Sequence, residues 1–112
     1  MKLRLFGLAF ASKLAMFICP SKAAVYDKVI SENLRRSSLD ELKSLYVSTA
    51  SSARKRQPDT YQRWCEFCLA KASVLNQSGQ WRDWNGRNYD WRAVDVERVL
   101  FNRKFLESLS EA

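Results

Sequence analysis

Pro58–Asn76, with the sequence PDTYQRWCEFCLAKASVLN, is the best-bounded segment of this chain, and its neighbours must pack against it. Its apolar residues recur every three or four positions, as on one face of an α-helix. They are Tyr61, Trp64, Cys65, Cys68, Leu69, Ala72 and Leu75. Pro58 suits a first helical turn, Asp59 places negative charge near the positive end of the helix dipole, and Gly79 follows the far end as a helix stop. We therefore predict a helix over 59–76 whose apolar face is covered by neighbouring segments.

The composition indicates a small, mainly helical protein. The chain has 112 residues, of which 46% are hydrophobic, enough for one modest core. Three Gly and two Pro favour long helices over a sheet with many turns. We expect an all-α fold: a small bundle of three to four helices, with an additional N-terminal apolar helix that projects from it and a Trp-rich loop. The expected helices cover 23–36, 39–55, 59–76 and 91–109, and the expected loop is 77–90.

Local signals set the expected helix ends. Pro20 ends the first helix and Ser21 can cap the second. Ser38-Leu39-Asp40-Glu41 has the S-x-x-E pattern of a capping box, which predicts the start of the third helix. Asn85-Gly86 indicates a turn, and Asp90 can cap the last helix.

The first segment, 1–22, differs from the helical domain expected over 23–112. It is basic and apolar, and no acidic residue precedes Asp27. A secretory signal, a mitochondrial presequence and a membrane helix over Leu3–Cys19 all share such features. We expect an uncleaved helix that serves both import and anchoring, through lipid contact at 3–19 or through packing on a partner protein.

The absence of histidine argues against catalysis, because histidine is the commonest general base and a common metal ligand. Trp64-Cys65-Glu66-Phe67-Cys68 looks like the W-C-x-x-C of thioredoxin-type oxidoreductases, but that chemistry needs a thiolate at a helix N-terminus beside a strand. Cys65 and Cys68 lie in mid-helix instead, so we expect core thiols or a disulfide to a partner. We expect no enzyme, no cofactor, no metal and no small-molecule substrate.

Basic and aromatic residues indicate two candidate contact surfaces on a chain of net charge +7. The expected basic patch comprises Arg54, Lys55, Arg56 and Arg63. Its first three residues would end the helix over 39–55, where positive charge compensates the helix dipole. The expected partner-binding surface comprises Trp81, Arg82, Trp84, Trp91, Phe101 and Phe105. Trp and Arg anchor protein interfaces and also stack on RNA bases, and we prefer the protein interpretation because acidic residues are interleaved with these residues.

One segment is similar to the LYR-motif family of mitochondrial assembly factors and accessory subunits. The similarity comprises Leu45-Tyr46 on an expected helix, a basic stretch, and Tyr61-Gln62-Arg63 at the start of the next helix; Val47 replaces the family's arginine. The resemblance implies a small mitochondrial accessory subunit and transfers no functional residue.

Three functions therefore remain open. The first is a structural accessory subunit of a mitochondrial inner-membrane complex, of the respiratory-chain or ATP-synthase kind, which acts by protein contact and anchoring. The second is a mitochondrial ribosomal protein that contacts rRNA through its basic and Trp-rich surface. The third is an exported small helical protein.

Overall fold

A computed structural model describes residues 7–101. Its helices are α1 (Gly7–Ile18), α2 (Lys28–Arg35), α3 (Asp40–Lys43), α4 (Gln57–Ser78) and α5 (Ala93–Phe101), with a 3₁₀ turn at Ser51–Ala53. Strands β1 (Trp81–Arg82) and β2 (Asn88–Tyr89) form a small antiparallel pair. The mainly helical fold is confirmed. The last part of the expected 91–109 helix, including Phe105, lies outside the described residues.

Helix α4 is the predicted central helix. Pro58 lies in its first turn, and Gly79 follows it with a positive φ of 130°. The side chains buried along α4 are Gln57, Thr60, Trp64, Cys68 and Ala72. Leu69 and Leu75, which we expected on the buried face, are exposed. The buried residues follow one another at intervals of three or four positions, so they form a single narrow stripe along the helix. Helix α5 packs against α4.

An irregular segment, Ala24–Tyr26, lies at the centre of the fold. Ala24 and Tyr26 are fully buried. The predicted helix over 23–36 is therefore wrong at its start: α2 begins at Lys28, and Asp27 rather than Ser21 caps it. The Asp27 carboxylate accepts the Ile30 N–H at 2.9 Å. Buried backbone outside helices and strands needs hydrogen-bond partners, and here side chains from several elements provide them.

Two aromatic side chains of α4 donate hydrogen bonds to this irregular segment. The Tyr61 hydroxyl donates to the Ala24 carbonyl at 2.9 Å. The Trp64 indole N–H donates to the Val25 carbonyl, also at 2.9 Å. In the sequence Tyr61 and Trp64 contribute only to the apolar pattern of the helix. In the structure each also donates a hydrogen bond to the backbone against which it packs.

Helices α1 and α5 hold the same segment from other sides. Ser12 Oγ accepts the Tyr26 N–H at 2.8 Å and lies 3.1 Å from the Tyr26 carbonyl, to which its hydroxyl donates. The buried Glu97 carboxylate of α5 lies near the Val25 backbone, whose N–H lowers the pKa of that carboxyl. Because α1 buries Leu8 and Ser12 in this way, the expectation of a projecting N-terminal helix is wrong.

The predicted helix over 39–55 is also wrong. Within it only Asp40–Lys43 is α-helical, and a separate 3₁₀ turn covers Ser51–Ala53. The residue at the N-cap of α3 is Leu39 rather than Ser38, and it makes no side-chain capping bond, so the predicted capping box does not form. The reason lies in the Tyr26 hydroxyl, which accepts the Val47 N–H at 2.7 Å. It also lies within donating distance of the Leu45 and Val47 carbonyls, at 3.0 and 3.1 Å.

Two further side chains stabilise this non-helical stretch. The Ser31 hydroxyl donates to the Val47 carbonyl at 2.9 Å. The Gln57 amide donates to the carbonyls of Ser48 and Ala50, at 2.8 and 2.9 Å. Valine and serine have weak intrinsic helix propensity. These tertiary hydrogen bonds therefore prevail over the helical spacing of the apolar residues in this stretch, which are Leu39, Leu42, Leu45, Tyr46, Thr49, Ala50 and Ala53.

We expect Tyr26→Phe to lower the free energy of unfolding by about 2 kcal/mol, because the buried Val47 N–H would lose its partner. Chemical denaturation followed by circular dichroism measures this loss. The control is Tyr46→Phe, at a neighbouring exposed position. Equal stabilities of the two variants would show that the Tyr26 hydroxyl does not hold the stretch in place.

The expected Trp-rich loop contains a β-hairpin. The predicted turn at Asn85-Gly86 is confirmed, with a φ of 86° at Gly86. Asp83 Oδ1 accepts the N–H groups of Asn85 and Arg87, both at 3.0 Å. Such an Asx-type contact stabilises a tight turn, which here brings the two short strands together.

Helix α5 begins later than expected. Asp90 does not cap it; the Asp90 carboxylate instead accepts the Gln80 amide N–H at 2.6 Å. Asn76 binds both backbone groups of Trp91, accepting its N–H at 2.6 Å and donating to its carbonyl at 3.0 Å. These bonds hold Trp91 outside the helix. The Asp95 carboxylate accepts the Arg92 N–H at 2.9 Å, just ahead of the first helical residue.

Candidate functional site

The outward face of α1 is apolar. Phe10, Leu14, Phe17 and Ile18 recur at helical spacing, and all four are exposed. Phe17 and Ile18 are 83% and 73% exposed. A helix at a water-facing surface normally directs polar residues outward, whereas α1 directs large apolar side chains outward. Its apolar area makes it the leading candidate for a contact surface on the described residues.

Basic residues lie beside this apolar face. Lys13 is exposed, and its spacing from Phe10 and Phe17 places it at the border of the face. Lys22 follows the helix and is also exposed. As for the predicted membrane helix over Leu3–Cys19, none of the helices within residues 7–101 combines the length and apolarity needed to span a bilayer.

The expected partner-binding residues separate into two environments. At the hairpin, Trp81 stacks on Tyr89 with ring centroids 4.9 Å apart, and Arg82 is exposed nearby. Trp84 lies in the hairpin loop and is 95% exposed. An indole so fully in water gains nothing from the chain's own core, which makes it a candidate anchor for a partner.

Trp91 and Phe101 belong to the other environment. Both are partly buried and pack against the hydrophobic core. The Phe101 ring lies 5.8 Å from the Trp64 ring, centroid to centroid. These two residues therefore have a structural role within the chain itself. Phe105, the remaining member of the expected surface, lies outside the described residues.

We expected the basic triplet Arg54-Lys55-Arg56 at the C-terminus of a helix, but the structure places it at the N-terminus of one. With no helix over 39–55, the triplet directly precedes Gln57, the first residue of α4. Cations there meet the positive end of the helix dipole, so compensation of the dipole no longer explains them. Within residues 7–101, none of the observed ion pairs involves these three side chains.

The triplet surrounds a shallow surface groove. The groove has a volume of about 360 Å³, and its lining is Ser51, Ser52, Ala53, Arg54, Lys55 and Arg56. No acidic residue occurs between Glu41 and Asp59 in the sequence. The groove therefore combines hydroxyl groups with uncompensated positive charge.

We expect Lys55→Glu to raise the free energy of unfolding by about 0.5 kcal/mol at low salt, because a carboxylate would replace a cation at the positive end of α4. Thermal denaturation at low ionic strength measures the gain. The same comparison at about 1 M salt is the control, since the Debye length there is only about 3 Å and the gain should largely disappear. Destabilisation at low salt would contradict the electrostatic account of the triplet.

The structure does not bring all the basic candidates together. Arg63 is exposed on α4, about 10 Å along the helix from the triplet at 1.5 Å per residue. Arg82 follows the other end of α4, a helix of 22 residues and thus about 33 Å long. The basic residues therefore do not form one continuous surface that extends to the hairpin.

All three cysteines are free thiols, in differing environments. Cys68 is fully buried on α4, and burial raises the pKa of its thiol. Cys65 is partly buried one turn earlier and contacts the Tyr61 hydroxyl. A neutral, buried thiol is a poor nucleophile, and Cys68 accordingly acts as a small apolar core residue.

One acidic residue is buried with an altered pKa. Glu97 is buried beside a cleft of about 340 Å³ that lies between α2 and α5 and includes Asp27 and Arg98. Burial is the largest cause that raises the pKa of Glu97, to about 7, and the charge of Asp27 acts in the same direction. The Val25 N–H and the charge of Arg98 oppose this rise.

Potential metal ligands are not grouped in the described part of the chain: no set of three His, Cys, Asp or Glu residues in 7–101 is arranged to hold an ion. Comparisons with family models, with characterised proteins and with solved structures find no match. The resemblance to the LYR-motif family gains no support from them. Leu45 and Tyr46, on which that resemblance depends, lie in the non-helical stretch after α3.

Proposed function

We propose that this chain is a structural accessory subunit of a membrane complex, of the mitochondrial inner-membrane kind, and acts through protein contact and anchoring. The observation that carries the proposal is the exposed apolar face of α1, formed by Phe10, Leu14, Phe17 and Ile18. Exposed apolar area of this kind is costly in water and is typical of contact surfaces. The basic, acid-free sequence before Asp27 supports the mitochondrial assignment.

The hairpin provides the second point of contact. Trp84 is held in a turn that Asp83 stabilises, so the indole is presented outward from a fixed position. Tryptophan is strongly enriched among the residues that dominate protein interfaces. On this proposal α1 anchors the chain while the hairpin binds a neighbouring subunit.

Affinity purification from the native cells tests the proposal. A tag at the C-terminus leaves α1 unaltered, and extraction with a mild detergent preserves membrane complexes. We expect a defined set of membrane-complex subunits to co-purify, and we expect Trp84→Ala to reduce their yield. Val74→Ala, at another exposed position, is the matched control. Recovery of the chain alone would contradict the proposal.

A ribosomal role is the second candidate, and the groove at Ser51–Arg56 favours it. Three cations without acidic partners beside two serine hydroxyls match the chemistry of a phosphate backbone. The separation of Arg82 from the triplet weighs against one extended RNA surface. Treatment with RNase before purification distinguishes the two: loss of the co-purifying proteins would favour ribosomal RNA and overturn the membrane-complex proposal.

A further inference from the structure

We propose that α1 lies flat on an anionic phospholipid bilayer, with Phe10, Leu14, Phe17 and Ile18 among the acyl chains and Lys13 at the headgroups. This proposal rests on the proposed function and specifies how the subunit is anchored. The partner is a lipid surface of negative charge.

The first argument is that the apolar face is already oriented outward in the folded chain. Ser12, on the opposite side of α1, is fully buried and hydrogen-bonded to both backbone groups of Tyr26. Leu8 is buried on the same side. The inner face of the helix is thus fixed to the core, and the outer face needs no rearrangement to meet a bilayer.

The second argument is length. Helix α1 is described over Gly7–Ile18, 12 residues that correspond to about 18 Å at 1.5 Å per residue. A helix of this length can lie in the plane of the bilayer interface with its apolar face at the acyl boundary. The exposed face is a single row of large side chains, and such a row can enter the acyl boundary to a shallow depth.

The third argument is charge. The sequence before Asp27 contains Lys2, Arg4, Lys13 and Lys22 and no acidic residue. Lys13 borders the apolar face, so its aliphatic stem can lie along Phe17 while its ammonium group reaches the headgroups. A second copy of this chain would bring like charges together at the same border. An anionic bilayer offers the complementary charge along with an apolar interior.

Co-flotation of the purified full chain with vesicles tests the proposal. One set of vesicles is phosphatidylcholine alone, and the other also contains phosphatidylglycerol. We expect binding to the mixed vesicles and little binding to the neutral ones. The double substitution Phe17→Ser with Ile18→Ser should weaken binding roughly 100-fold, because two large side chains no longer leave water. Lys13→Gln should weaken it about fivefold.

The matched controls are Val29→Ser and Val74→Ser, which remove apolar side chains that are 63% and 57% exposed on α2 and α4. Both should bind the mixed vesicles as the unaltered chain does. Circular dichroism establishes that each variant remains folded, as expected for exposed positions. If the controls weaken binding as much as the α1 substitutions do, the assignment of the contact to α1 is overturned.

Other outcomes separate this inference from the proposed function. No flotation with either vesicle, together with loss of co-purifying subunits in the Phe17→Ser, Ile18→Ser variant, would make the face a protein interface and overturn the lipid contact alone. Equal flotation with both vesicle types would overturn the role of charge. Flotation with mixed vesicles by a chain that co-purifies with no subunit would support the lipid contact and overturn the proposed function.

Discussion

Trp64→Ala is expected to lower the free energy of unfolding by about 4 kcal/mol, a large part of the stability of a chain this size. Trp64 is fully buried. Its ring lies 5.9 Å from the Phe67 ring in a stacked arrangement and 6.3 Å from the Tyr26 ring edge-to-face. The substitution removes these contacts, leaves a cavity, and also leaves the Val25 carbonyl without its indole donor.

Two further variants identify the cause of that loss. Trp64→Phe keeps most of the apolar volume but removes the N–H, so it measures mainly the hydrogen bond to Val25. Trp84→Ala removes the same side chain from a position that is 95% exposed, and we expect it to change the free energy of unfolding by less than about 0.5 kcal/mol. Urea denaturation measures all three. Similar losses for Trp64→Ala and Trp84→Ala would contradict the position of Trp64 in the core.

The second large effect concerns Glu97 and pH. Its pKa is raised from an ordinary value of 4.5 to about 7 in the folded chain. Between these two pH values the folded chain holds a proton that the unfolded chain has released, so the free energy of unfolding falls as pH rises. The contribution is fully present below pH 4.5 and is lost by about pH 7. A difference of about 2.5 pKa units corresponds to about 3 kcal/mol.

Glu97→Gln should abolish this pH dependence, because the amide has nearly the size of the carboxyl group and stays neutral at every pH. We expect the variant to match the unaltered chain near pH 4 and to exceed its stability by up to about 3 kcal/mol near pH 8. Denaturation at several pH values measures the difference in the free energy of unfolding between the variant and the unaltered chain. The other titrating groups are the same in both proteins, so their contributions cancel in this difference. Glu66→Gln, at an exposed position of α4, is the control. Parallel stability curves for Glu97→Gln and the unaltered chain would contradict the raised pKa.

The central helix could be predicted because its signals are local. Pro58 and Gly79 mark its ends through their own backbone preferences, and Trp64 and Cys68 mark its buried side through spacing. The Asn85-Gly86 turn is similarly local. Such features need no knowledge of what lies on the other side of the core.

The irregular segments around Tyr26 and Val47 could not be predicted because tertiary hydrogen bonds stabilise them. Val47 lies in a stretch with helical apolar spacing, yet the Tyr26 hydroxyl binds its backbone from 21 positions earlier in the chain. Ser12 holds Tyr26 across 14 positions. A single sequence contains no periodic signal for such pairs, and a buried serine or tyrosine hydroxyl looks there like an ordinary surface or core residue.

The candidate contact surface was predicted in part. The basic and apolar character of the N-terminal segment indicated a helix that anchors the chain, but the direction of its faces depends on Ser12, which gave no signal. The basic triplet is evident from the sequence, but its expected role is wrong. Because α4 begins immediately after it, its charges cannot compensate the negative end of a helix dipole. Trp91 and Phe101 looked like partner contacts because core and interface aromatics are alike in sequence.

The size of the native particle after extraction with a mild detergent shows whether this chain belongs to a large membrane complex. Sucrose-gradient sedimentation of membranes from the native cells measures it, with the tagged chain detected in each fraction. We expect the unaltered chain to sediment with a large membrane complex, and the Phe17→Ser, Ile18→Ser variant to shift toward the size of the free chain. Sedimentation of the unaltered chain at its own 13.0 kDa would contradict the account.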